Sequence, residues 1–439
     1  MSHALVILVL VNIAISQSCY WNDGCAYQLF SSKTPYDTVR GDIRDYPTPA
    51  NCEAVALWSL NRHGNRNPGN SATASMRAIA QLQDEIVSSH YEGKGQLCAQ
   101  DIEDIKRWRW NETLDESASF LTGVGYEELY EIGKRLREKY PHLAEGTEDD
   151  YYFRTTYEQR TITSAMAFVH GWTEGSQINP SVDGPWEHDD VIRPYENCDR
   201  YQQDVKGGQA VVDQLEDYCN NPEFINVKNN VQTRLGISTQ LSSEDVHSLY
   251  ELCRFYRSWE PKLKSPWCAA FSNEDLLVVE YRDDVTHYHR NGYGSWVNVN
   301  LGKPVLKDLY ENFKASLESE NTARRLVAYF SHDTMIEMAL CAMGLYEDNF
   351  VLQGSEIDPD RLWRTSFIGS LAGNILAVLN TCNETDGQNY RVQIFFNEKV
   401  TDLCPLEGCT WEEFDAYFQR YTAANLDFCS MDYTGPEVL

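Results

Sequence analysis

The stretch Glu53-Ala54-Val55-Ala56-Leu57-Trp58-Ser59-Leu60 runs without a break into Asn61-Arg62-His63-Gly64-Asn65-Arg66-Asn67-Pro68. A short, nearly continuous apolar run predicts a buried strand. Residues 326–330, Leu-Val-Ala-Tyr-Phe, repeat the pattern and lead directly into Ser331-His332-Asp333-Thr334. Around these two strands the periodicity changes. Residues 71–90 place Met76, Ile79, Leu82 and Ile86 on one helical face, and residues 121–140 form a second helix that Pro141 stops. Residues 151–154 read as a strand, followed by a helix over 158–170. A further helix spans 335–345, and the alternation over 375–381 and 390–397 predicts a hairpin at the end of the sheet. Residues 176–310 alternate helical pieces with Gly, Asn and Pro clusters. The fold class expected is α/β: a central mixed sheet flanked by helices, with a mostly helical cap. The core is expected from residues 17–70, 118–175 and 311–439, and the cap from 71–117 and 176–310.

The chain has 439 residues, with 37 Lys+Arg against 66 Asp+Glu, a formal net charge of −29. Such a surface argues against nucleic acid as a partner, because that needs a basic face. It leaves room for a small anionic substrate, since a few arginines can gather inside an acidic shell. Residues 4–15 are an apolar run too short to span a bilayer, and Ala14-Ile15-Ser16 has the form of a cleavage site. Residues 1–16 are therefore expected to be a signal peptide. No other segment reaches spanning length, so no stable membrane anchor is expected. The 13 cysteines agree with export, and their odd number leaves at least one unpaired. Cys404 and Cys409 close a short loop, Cys253 and Cys268 bracket a proline-containing segment, and Cys341 is the expected free thiol. Asn111 and Asn383 head glycosylation sequons. The spacing of Cys and His offers no zinc site, and no metal or other cofactor is expected.

In open α/β sheets, ligands bind beyond the carboxyl ends of the strands. Arg62, His63 and Arg66 lie at one such end, and His332 and Asp333 at another. Arg160 lies on the helix after the 151–154 strand. Together they would gather three guanidiniums, two imidazoles and a carboxyl. Arginine forks match phosphate oxygens, and a neutral imidazole can attack phosphorus. A carboxylic acid beside the ester oxygen can supply the proton that a leaving alkoxide needs. Gly64 would let the backbone approach the nucleophile closely. Cysteine-dependent and P-loop phosphoryl chemistry are disfavoured, since neither C-x5-R nor G-x4-G-K-[ST] occurs. Two further basic groups are weaker candidates for contacting outer phosphates: Arg77, and the run Lys106-Arg107-Trp108-Arg109-Trp110.

Arg62-His63-Gly64-x-Arg66-x-Pro68 with His332-Asp333 resembles the histidine acid phosphatase branch of the histidine phosphatase superfamily. Leu121-Thr122 through Tyr140, and Arg160-Thr161-x-Thr163-Ser164-Ala165-x-Ala167-Phe168, are similar to its helix and third-arginine segments. Tyr288-His289-Arg290-Asn291-Gly292-Tyr293-Gly294 resembles multiple inositol polyphosphate phosphatases. So do Leu362-Trp363-Arg364-Thr365-Ser366, leading to Asn374 and Cys382, and Asn397-Glu398 with the Cys404/Cys409 pair. The resemblance runs from about Cys52 to Phe418. It implies His63 as nucleophile, Arg62, Arg66, Arg160 and His332 as phosphate ligands, Asp333 as proton donor, and a Cys52–Cys382 disulfide. It also implies a metal-independent phosphomonoesterase acting on inositol polyphosphates such as phytate, secreted or held in the lumen of the secretory pathway.

Three stretches depart from the family pattern. Inositol polyphosphate phosphatases carry His-Ala-Glu where this chain has His332-Asp333, the form of phytases and general acid phosphatases. Asn65 and Asn67 are expected near the pocket mouth, and Asn291 replaces a basic residue. Glu337, one turn after Asp333, is expected to be a solvated helix residue, with a minor claim as a reserve donor. Two other readings stand beside the inositol polyphosphate one: a broad-specificity acid phosphatase, and a catalytically silent secreted binding protein.

Overall fold

The computed structural model describes residues 29–259, 265–318, 324–384 and 387–435. The expected signal peptide lies outside the described residues. Eight strands form one sheet: β1 (Cys52–Arg62), β2 (Tyr151–Thr155), β3 (Val182–Asp183), β4 (Leu326–Ser331), β5 (Asn374–Glu384), β6 (Gly387–Phe396), β7 (Lys399–Val400) and β8 (Cys409–Thr410). Their order is β3-β2-β4-β1-β5-β6-β7, with β8 also against β6. The first four in that order run parallel, and β5 turns the sheet antiparallel. The sheet is therefore mixed, as expected. The hairpin forms as β5 and β6. The two-residue strands β3, β7 and β8 are too short to leave an alternation in the sequence.

Alternate residues of the central strands feed two cores. Trp58, Leu60, Val327, Tyr329, Ile375 and Ala377 face one side, where they meet Leu249, Val285, Leu309 and Met338 of four helices. Leu57, Leu326, Ala328, Phe330, Leu376 and Val378 face the other. There they pack on Leu129 and Leu136 of the Gly123–Lys139 helix and on Phe168 and Trp172 of the Gln159–Trp172 helix. Burial on both faces is why β1 and β4 read as unbroken apolar runs.

The predicted helix over 71–90 divides into Asn70–Ile79 and Gln83–Tyr91, with a 3₁₀ turn at Ala80–Leu82 between them. Among the described residues between 209 and 318, six α-helices follow one another.

Disulfides join Cys52–Cys382, Cys198–Cys429, Cys253–Cys268 and Cys404–Cys409. The first couples neighbouring strands at residues 330 apart in sequence. Cys341 is free and buried, as expected, and Cys219 is also free. The disulfides fit an extracellular or secretory-lumen protein. Among the described residues, no helix is long and apolar enough to cross a membrane.

Candidate active site

Three loops meet at the carboxyl ends of parallel strands. His63 N–H donates to Ser331 O (3.1 Å), and Thr156 N–H donates to Phe330 O (3.2 Å). These bonds hold the loops after β1, β4 and β2 at one level. Ala372 N–H donates to His63 O (3.1 Å) and fixes the loop from the β5 side.

The structure brings all six predicted residues together. The His63 and His332 rings lie edge to face, with centroids 5.5 Å apart. Arg62 Nη2 is 3.1 Å from Asp333 Oδ2, and Arg160 Nη2 is 3.4 Å from His332 Nδ1. Arg62 Nη1 is spent on the carbonyls of Ser32 (2.8 Å) and Gly369 (2.5 Å), which aim the remaining nitrogen at Asp333.

His63 is buried, and its Nδ1 lies 2.8 Å from Gly64 O. A carbonyl oxygen only accepts, so Nδ1 carries the proton and Nε2 keeps a lone pair. Burial, Arg62 and Arg160 hold its pKa well below the usual imidazole value, so the ring is neutral into the acid range. His332 has the opposite tautomer. A guanidinium only donates, so Nδ1 accepts from Arg160, and Nε2–H donates to Glu158 Oε2 (3.0 Å). Burial raises the cost of charging Glu158, but His332 and Arg193 hold it at about 2.

The charges are unequal. Burial, Arg160 and Arg62 press Arg66 down to about 10, and burial lowers Arg160 as well. Burial by itself would raise the Asp333 carboxyl, but Arg62, then His287, Lys33 and His63, hold it well below the ordinary range. Asp333 is the first residue of the Asp333–Ala342 helix, with His332 at the cap position. Its Oδ1 accepts from Thr334 N–H (3.0 Å), so it does not cap the helix in the usual way. The helix start adds a positive dipole end to the site.

Several local expectations are corrected. Gly64 is required by packing on a neighbouring helix rather than by approach to the nucleophile. A Cβ there would sit 2.2 Å from Gly125 O, and one on Gly125 would sit 2.1 Å from Asn65 O. Asn65 does not line a mouth: it is fully buried, donating to Ser258 O (2.9 Å) and accepting from Thr122 Oγ1 (2.9 Å). Asn67 is tied to Ser117 Oγ (2.8 Å). Glu337 is not solvated. It is wholly buried, 2.9 Å from His287 Nδ1 through either oxygen and 2.8 Å from Asn291 Nδ2. Arg77 pairs with Asp115 and Glu112 and lies over Trp110, while Arg109 donates to the carbonyls of Lys106 and Trp108.

Sequence reasoning missed Glu158, which orients His332, and Lys33, a buried cation on the Ser31–Lys33 turn. Neither stands in a motif. Glu158 was visible only as the residue opening a helix.

Comparison with known proteins agrees with this geometry. The family model of the histidine phosphatase superfamily (branch 2) matches residues 56–397. Multiple inositol polyphosphate phosphatase 1 of Drosophila melanogaster is 30% identical over 425 residues, covering 93% of this chain and 89% of that one. The crystal structure of the phytase from D. castellii superposes with a TM-score of 0.70 at 16% identity, covering 91% of this chain and 86% of that one. Multiple inositol polyphosphate phosphatase of Bifidobacterium longum, in complex with inositol hexasulfate, superposes with a TM-score of 0.65 at 14% identity, covering 86% and 94%. The match takes in β1, the loop that carries His63, β4 and the hairpin of β5 and β6, and so the chain belongs to branch 2 of the histidine phosphatase superfamily.

Proposed function

We propose that this chain is a phosphomonoesterase of the secretory pathway that hydrolyses inositol polyphosphates through a phosphohistidine. One observation carries the reading: a neutral imidazole with a free Nε2 lone pair, ringed by Arg62, Arg66 and Arg160, with Asp333 beside it. The substrate phosphate sits among the guanidiniums, with Arg160 held in place by His332, which Glu158 orients. His63 Nε2 forms a bond to phosphorus as the ester P–O bond breaks, and Asp333 gives its proton to the leaving oxygen. A water molecule then attacks the phosphohistidine. Its proton passes to the Asp333 carboxylate, phosphate departs, and both residues are restored. Fixed positive charge offsets the charge spread over the equatorial oxygens. The proton on Asp333 enters with the substrate: the phosphate's negative charge offsets the arginines that otherwise keep the carboxyl ionised.

The substrate class rests on the similarity to inositol polyphosphate phosphatases and a phytase. The His332-Asp333 pairing favours a second reading, a broad-specificity acid phosphatase. The complete set of six residues speaks against a silent binding protein. We assign residues 17–70, 118–175 and 311–439 to the catalytic core and 71–117 with 176–310 to the cap. The signal peptide expected at residues 1–16 and the disulfides support export. The test is phosphate release from phytate and from p-nitrophenyl phosphate with EDTA present, using His63→Ala as control. Release from both supports the histidine mechanism, and the ratio of efficiencies chooses the substrate class. No His63-dependent release from either ester would overturn the reading.

A further inference from the structure

Lys33 occupies an unusual position for an ammonium. It is only 9% exposed, and among the described residues its Nζ donates to Ser32 Oγ (2.7 Å) and to no carboxylate. It lies 5.7 Å from the centre of the Phe255 ring. Its backbone is bolted to the frame of the active site: Ser31 N–H donates to Ser366 Oγ (2.7 Å), Ser32 O accepts from Arg62 Nη1 (2.8 Å), and Thr34 O accepts from Leu371 N–H (3.1 Å). The Ser31–Lys33 turn therefore cannot shift without disturbing the arginine next to His63.

The charged groups around Lys33 come from four elements. The end of β1 with its following loop brings Arg62 and Arg66, and the Ser243–Trp259 helix brings Arg254 and Glu251. The Asn273–Asn291 helix brings Asp283, and the Asp333–Ala342 helix brings Asp333. Glu251 and Asp283 are already engaged by Arg254, and Asp333 by Arg62. Burial, then repulsion by Arg254 and Arg66, lowers the Lys33 ammonium to about 7, with Glu251 opposing. A buried cation without an ion pair of its own is costly in the unliganded protein. An anion placed there removes that cost.

We propose that Lys33 reads the substrate: its ammonium binds a second phosphate group of a multiply phosphorylated molecule while the first lies against His63. The inference rests on the phosphatase reading for the identity of the first site. It assigns to Lys33 a preference for polyphosphates over simple esters, which the arginine set alone does not supply. Protonated Lys33 is the binding form. Its share of the affinity is therefore full below about pH 7 and is lost as pH rises through neutrality. Glu251 and Asp283 are held below the carboxylate range and Arg66 titrates near 10, so they keep their charge across this window, while the proton that Asp333 gains with the anion enters in wild type and Lys33→Arg alike. The imidazoles His247 and His287, which act on Asp283, are common to wild type and variants and cancel in the comparison.

The experiment measures calorimetric Kd for inositol hexasulfate and for inorganic phosphate, from pH 5.5 to 8.5. It uses the full chain, Lys33→Met and Lys33→Arg, each checked for folding by circular dichroism. Lys33→Met is expected to weaken hexasulfate binding at least tenfold more than phosphate binding at pH 6, with Lys33→Arg restoring most of it. The difference between wild type and Lys33→Met should shrink steadily as pH rises from 7 to 8.5. Equal losses for both anions, or no loss, would overturn the assignment. Should Lys33→Met not fold, the pH arm still decides: wild-type hexasulfate binding must fall relative to Lys33→Arg between pH 6 and 8, and parallel curves overturn the proposal. A wild type that binds hexasulfate through Lys33 but releases no phosphate from any ester would instead overturn the phosphatase reading.

Discussion

Two of the arginine sites in this molecule have electrostatics that run in opposite directions. Arg135 is clasped by Glu398 through Nε (2.8 Å) and Nη2 (2.5 Å), and the same carboxylate accepts from Tyr36 Oη (2.9 Å). Burial tends to lower Arg135, but Glu398 overcomes it and raises the guanidinium's pKa. Arg66 and Arg160 are lowered, because burial and neighbouring arginines act without a matching carboxylate clasp. One site has neutralised its charge within the fold. The other retains an excess of positive charge that only an incoming anion offsets. The difference explains how a chain of net charge −29 can recruit phosphate esters: the location of the unmatched cations matters more than their total.

The largest expected effect concerns His63, the proposed nucleophile inside the unmatched cluster. His63→Ala should lower phosphate release by at least about a thousandfold, since no other group in the site can form the phosphoenzyme. A stopped assay with p-nitrophenyl phosphate checks it. Asp333→Asn should slow alkyl phosphates about a hundredfold while affecting p-nitrophenyl phosphate far less, because a good leaving group departs without a proton. Equal slowing of the two esters would remove Asp333 from the donor role.

Substitution at the two arginine sites tests the comparison itself. Arg66→Met should cost about a hundredfold in kcat/KM yet leave the urea midpoint unchanged or higher, since it relieves repulsion. Glu398→Ala should destabilise the fold by about 3–5 kcal/mol by stranding Arg135, with little change in kcat of the protein that remains folded. If Arg66→Met destabilised as much as Glu398→Ala, the two sites would not differ in kind.

The smallest effect comes from pH. His63 stays neutral when folded but takes up a proton below about 6.5 when unfolded, so it opposes folding as pH falls. Between pH 7.5 and 5.5 the wild type should lose about 1.4 kcal/mol more stability than His63→Gln. Paired urea titrations at the two pH values measure that difference.

Much of this was legible from residues close together in the chain. The buried strands β1 and β4 announced themselves through unbroken apolar runs, and each delivers its polar residues directly to a strand end. The Gly123–Lys139 helix was marked by its periodicity, and Thr122 caps it by accepting from Gly125 N–H (3.1 Å). What escaped depends on partners far away in sequence. Glu337 sits on a helix face that looked solvated, until the Asn273–Asn291 helix laid His287 and Asn291 across it. Asn65 looked like a lining residue because it stands two positions after His63, but its amide is used by Ser258. Lys33 lies 30 residues before His63 in an unremarkable turn, and only the bond from Arg62 to Ser32 O places it in the site.

The sequence by itself determined the α/β class, the strand ends at which the candidate site lies, and the six residues gathered there. Those features follow from local periodicity and from the rule that a parallel strand presents its carboxyl end to the ligand. The tertiary structure alone decided which imidazole keeps a free lone pair, which carboxylate stays charged, and which cations find no carboxylate. Those properties depend on hydrogen-bond direction and burial, and both are set by groups brought together from across the fold.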